Sequence, residues 1–145
     1  MWGQVERKPR MRMKGNSMSP FIKENDTLII DLQPKNIRIG DVVVYRNNGK
    51  CIAHRVVGTR KLGLETQLLL KGDNMFVLDP PVPREMIMGK VLGKENASFK
   101  TDYTTMQWLV LNRIIAVFSL LLGKSHIFYC ILRRLRKLLL KRSYE

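Results

Sequence analysis

"GDVVVYRNNGKCIAHRVVG", residues Gly40 to Gly58, is the stretch whose reading decides the fold. Two apolar, β-branched runs stand on either side of Asn47-Asn48-Gly49, a turn signal of the kind that closes two-residue hairpins. The stretch predicts a β-hairpin. Outward from it the same texture continues over 27–94. "TLIIDL" is a short apolar run with β-branched residues, and "QLLLKGDN" is another, ended by glycine. "DPPVPREMIMGKVLGK" opens with prolines that forbid a helix interior and then gives a last strand around Ile87–Leu92. Several short strands with Gly/Pro punctuation predict a compact, mostly-β domain.

The pattern changes near Thr104. "TTMQWLVLNRIIAVFSLLLGKSHIFYCILRRLRKLLLKR" has helical composition, with Gly123-Lys124-Ser125 as the break between two helices. Asn112 and Arg113 interrupt the first, leaving only Ile114–Gly123 uncharged after them, short of the roughly 20 apolar residues a membrane span needs. The second is amphipathic. Phe128, Ile131, Leu132, Leu135, Leu138 and Leu139 fall on one face, and Arg133, Arg134, Arg136, Lys137 and Lys141 on the other. Such a helix lies in a membrane interface or packs on protein. The chain thus divides into a basic N-terminal segment (1–14), a β-rich domain (15–103) and a basic helical segment (104–145).

At 145 residues the chain suffices for one domain with a real core. Its net charge of +14 is uneven: 1–14 hold five Lys/Arg against one acid, and 124–145 seven against one. A surplus placed at the ends attracts phosphates, and 126–142 in particular suit an anionic membrane surface. No aromatic-basic platform accompanies the charge, so nucleic acid is not the expected partner. Cys51 and Cys130 match no CxxC or Cys/His metal pattern and read as unpaired, partly buried thiols. No metal or cofactor is expected. "MWGQVERKPRMRMKG" contains no apolar signal or anchor segment. That places the expected membrane contact at the C-terminal end, on a side the sequence does not decide.

The candidate chemistry centres on "GNSMSP", Gly15–Pro20. A serine hydroxyl is unreactive until a positioned base takes its proton. The chain has two histidines. His126 reads as packing. His54, among Ile, Ala and Val, is the side chain best tuned to accept a serine proton near neutral pH, unless strand alternation simply turns it to solvent. Its second ring nitrogen then needs an acceptor, and two acids lie in "KGDNMFVLD": Asp73, in a turn with Asn74, and Asp79, just before two prolines.

The order "SMSP", "GDVVVYR", "IAHRV", "KGDN", with an aspartate six residues after the first, resembles the type I signal peptidases. The likeness is to the branch of the endoplasmic reticulum, archaea and some Gram-positive bacteria, with "HRV" where the usual bacterial branch has a lysine. It covers roughly residues 14–93. The resemblance implies a β catalytic fold, Ser17 as nucleophile, His54 as general base and Asp79 as its supporting acid. Asp73, Asn74 and Arg55 would be supporting residues, and substrate would bind as an added strand, cut after small residues. Gly15, Asn16 and Met18 would line the oxyanion site and groove, with Met18 equally readable as core. Gly15 stands where many members carry an oxyanion serine, and the usual N-terminal anchor has no counterpart here. The expected function is therefore a signal-peptidase-type serine endopeptidase. A catalytically weak or inactive membrane-surface binding module on the same fold and a cytoplasmic peptide-maturation protease are the alternatives.

Overall fold

The computed structural model describes residues 8–122 together with 130, 133 and 134. Eight strands form one antiparallel sheet: β1 (Arg10–Arg12), β2 (Thr27–Asp31), β3 (Val42–Asn47), β4 (Lys50–Leu62), β5 (Glu65–Lys71), β6 (Val82–Pro83), β7 (Ile87–Glu95) and β8 (Lys100–Asp102). Their order is β1-β2-β7-β3-β4-β5-β6, with β8 paired to β7. A helix, α1 (Met106–Leu122), follows. The mostly-β fold with a C-terminal helix is the one expected, although β1 and β8 lie outside the stretch read as strands.

The β3–β4 hairpin forms at its turn signal. Asn48 and Gly49 both have positive φ (47° and 75°), as a turn that follows the right-handed twist of its strands requires. Register then follows by counting, from Asn47 opposite Lys50 to Val43 opposite His54. The run Val42–Tyr45 is continuously apolar because both sheet faces are covered there. Val42 and Val44 join a cluster with Met13, Met18, Ile22, Leu28 and Val91, while Val43 and Tyr45 join Val56, Leu68, Leu70 and Val82 on the opposite face.

β4 changes partner at Arg55. Up to Arg55 it pairs with β3, and from Arg55 onward with β5. One edge of Lys50–His54 therefore carries no strand among the described residues. Among the described residues β1 has a strand only on its β2 side.

Helix α1 packs against the domain through Leu111 and Ile115, which meet Phe21, and through Trp108, whose ring lies edge-on to Phe21 at 6.3 Å. Its inward face mixes polar and apolar residues: Asn112 and Ser119 are buried along with Leu111, Ile115 and Ala116, while Val110, Ile114, Val117, Phe118 and Leu121 are exposed. Asn112, read from sequence as an interruption, is an internal contact. Among the described residues no helix is long and apolar enough to cross a membrane. Gly123–Ser125, His126 and most of the amphipathic stretch 126–142 lie outside the described residues. Cys51 and Cys130 are not joined to each other. Both are exposed, which corrects the expectation of partly buried thiols.

Candidate active site

Ser17 begins a tight turn. The Ser19 N–H donates to the Asn16 carbonyl (3.1 Å) and the Ile22 N–H to the Met18 carbonyl (3.0 Å), so the chain makes one helical turn directly after the serine. That turn is fastened below. Met18 and Ile22 are fully buried, and Lys94 joins it from β7, donating to the Phe21 carbonyl and pairing with Asp26 at 2.8 Å. Met18 is thus a core residue. It does not line the groove, because its side chain is buried in the apolar cluster with Leu28, Val42, Val44 and Val91. Gly15 sits just upstream with φ of +79°. The Ser17 N–H has no backbone acceptor among the described residues, which leaves it available to a ligand.

His54 is buried (5% exposed), not turned to solvent. Its Nδ1 lies 2.5 Å from Asp79 Oδ2, and the Tyr45 hydroxyl donates to the same oxygen at 2.9 Å. Asp79 is placed by its own N–H, which donates to the Leu70 carbonyl at the end of β5 (2.9 Å). An ionised carboxylate accepts but cannot donate, so a neutral His54 carries its proton on Nδ1 and presents the Nε2 lone pair. Burial, followed by the hydrogen bond to Asp79 and its charge, pushes the Tyr45 phenol above its usual pKa, so it remains a donor. Tyr45 is the site residue that the sequence reading missed. Hairpin register would have found it: Tyr45 opposes Ile52, two residues from His54, and so shares the histidine's face.

Gly72 lies where Ser17 and His54 meet. A Cβ there would lie 2.7 Å from the Ser17 carbonyl oxygen and 3.0 Å from His54 Nε2, so only glycine lets the two approach. The turn also grips Ser17 directly. Asn74 donates its N–H to the Ser17 carbonyl (2.8 Å) and its side-chain amide to the Asn16 carbonyl (3.2 Å).

Asp73 faces away from the histidine. It takes a bidentate pair from Arg55 (2.8 and 2.7 Å), both side chains being almost completely buried. Arg55 also donates to the Gly40 carbonyl and to Asn112 Oδ1, each at 2.8 Å. Burial lowers the guanidinium's pKa, but the charge and hydrogen bonds of Asp73, with Tyr103 and Asp41 adding, leave it above the ordinary value. This network clamps the Gly72–Asn74 turn to α1. Beside it, buried Lys71 donates to Ser119 Oγ (2.6 Å), and desolvation lowers its pKa while Asp73 opposes the shift.

Ser17 and His54 both line an open cleft of about 760 Å³ between the β1 segment and the start of β4, with Met11, Met13, Ile52 and Ala53 on its walls. Among the described residues no cluster of His, Cys, Asp and Glu could hold a metal.

The fold is an antiparallel β domain that sets a buried His54–Asp79 pair beside the turn holding Ser17. The chain belongs to the Peptidase S24-like family, whose profile matches residues 7–92 and so takes in Ser17, His54, Asp73 and Asp79. It is also similar to the signal peptidase complex catalytic subunit SEC11 of Yarrowia lipolytica, 34% identical over 73 residues (49% of this chain, 42% of the relative). SEC11 of Lodderomyces elongisporus is 39% identical over 74 residues, covering 49% of this chain and 44% of the relative. These relatives bear out the resemblance to type I signal peptidases. The chain spans less than half the length of each. No solved structure matches it significantly.

Proposed function

We propose that this chain is a serine endopeptidase of the signal-peptidase type, with Ser17 as nucleophile, His54 as base and Asp79 as the orienting acid. The observation that carries the reading is the buried His54 held by Asp79 at 2.5 Å, its other nitrogen lying against the Gly72 turn that also touches Ser17. In this mechanism His54 Nε2 takes the proton from Ser17 Oγ as the oxygen attacks the scissile carbonyl. The same nitrogen then returns the proton to the leaving amine. Asp79 stabilises the imidazolium, and the Tyr45 hydroxyl steadies Asp79. The Ser17 N–H is the donor for the developing oxyanion, with Gly15 and Asn16 framing that side. Substrate adds as an extended strand between the edges of β1 and Lys50–His54 that are unpaired among the described residues. Met11, Met13 and Ile52 line the cleft beside the bond to be cut, where the family resemblance calls for small side chains.

Attachment to an anionic membrane surface belongs to the same proposal. The cationic stretch 126–142 supports it, and so does the outward apolar row on α1 that leads into it. Salt-sensitive sedimentation with anionic vesicles tests that part.

The test of the activity is mass-spectrometric mapping of the products when wild type and Ser17→Ala are incubated with precursor peptides bearing small residues before a candidate bond. The proposal expects one bond to be cut by wild type and none by the variant. Equal cleavage by both would refute it.

A further inference from the structure

The cleft holding Ser17 and His54 is rimmed by Arg12, Lys14 and Lys50, all exposed, and no carboxylate lines it among the described residues. None of the three forms an ion pair within the described residues, whose salt bridges involve other cations. Arg12 also borders a neighbouring cleft with Glu24, Asp26 and Glu95, so Lys14 and Lys50 carry the argument.

Their position along the cleft is set by the sheet. β1, β2, β7, β3 and β4 pair antiparallel in succession, so β1 and β4 run in the same direction. On each side of the cleft the cation comes first along the chain: Lys14, two residues past the end of β1, before Ser17, and Lys50, at the start of β4, before His54. At roughly 3.3 Å per residue, Lys50 lies about 13 Å along the strand from His54. Lys50, Ile52 and His54 also share one strand face by alternation. A peptide seated between the two edges, its scissile carbonyl at Ser17, therefore has a residue three to five positions from the cut beside the two lysines.

We propose that the site selects substrates with an aspartate or glutamate three to five residues from the cleaved bond, on the side lying between β1 and β4. This rests on the peptidase reading above and adds a charge requirement to it. The attraction is between solvent-exposed groups, so it is modest and screened. The expected preference for Glu over Lys at that position is about five- to twentyfold in kcat/KM at low salt, shrinking at high salt.

The experiment compares peptides identical except for Glu, Gln or Lys at that position. Each is assayed for cleavage by wild type, Lys14→Glu and Lys50→Glu, and for binding to Ser17→Ala by fluorescence anisotropy. The expected order is Glu, Gln, Lys in both readouts, and each lysine reversal should flatten or invert it. Equal cleavage of all three, or a Glu preference unchanged in both reversal variants, would overturn the proposal. Binding in the expected order without any cleavage would uphold the charge selection while refuting the peptidase reading.

Discussion

Replacing Asp73 with alanine should cost far more stability than its loop position suggests. Arg55 and Asp73 retain only 2% and 1% of their side-chain exposure, and Arg55 spends two of its four hydrogen bonds on this carboxylate. In Asp73→Ala the guanidinium stays buried with the Gly40 carbonyl and Asn112 Oδ1 as partners but without its paired carboxylate, Asp41 acting only at longer range. Removing one member of a buried ion pair costs about 3–5 kcal/mol, against a total of about 5–15 kcal/mol for a domain. At this chain length that corresponds to a fall in Tm of about 10–20 °C. Urea titration gives the value directly, provided that the slope m is unchanged. Arg55→Met combined with Asp73→Ala should be less destabilised than Asp73→Ala alone, because the orphaned charge is gone. A loss below about 1 kcal/mol in the single variant, or strictly additive losses in the double one, would refute the reasoning.

Asp79→Asn should show the opposite profile: a fold close to wild type, but kcat lower by about a thousandfold or more, because the amide favours the wrong histidine tautomer. Steady-state peptide cleavage beside a melting curve checks both halves. Gly72→Ala places a carbon 2.6 Å from Met75 Cγ and 2.7 Å from the Ser17 carbonyl. The resulting displacement of Ser17 from His54 should lower kcat/KM about a hundredfold. The Tyr45 phenol has a raised pKa in the folded chain, so its contribution to stability is intact below the unfolded value of about 10 and is lost as pH rises beyond it. Alkaline unfolding followed by phenolate absorbance should therefore lose part of its pH dependence in Tyr45→Phe.

What the sequence made legible was local. The Asn48-Gly49 turn fixed the β3–β4 hairpin, and the runs that became β2, β5 and β7 carry their own β-branched residues and glycine stops. Ser17, His54 and Asp79 were legible through the order of four short motifs. The rest depended on contacts between distant segments. β1 is only Arg-Met-Arg and is a strand because β2 pairs with it, not because of its composition. His54 is buried although alternation allowed it to face solvent, because Asp79 returns from the end of β5 to meet it. Asn112 looked like a break in an apolar helix, and its partner, Arg55, lies 57 residues away. The division of labour between the two aspartates was implied by the resemblance and not by spacing alone, since six residues of separation place one on His54 and the other on Arg55.

The central claim is that Ser17 and His54 act as one unit, and a double-mutant comparison of kcat/KM tests it most directly. Groups that operate together in one proton transfer give losses that do not multiply. Ser17→Ala and His54→Ala should each remove nearly all cleavage of a precursor peptide, and the double variant should be hardly worse than either. Full activity in His54→Ala, or a double variant whose loss is the product of the two single losses, would contradict the account.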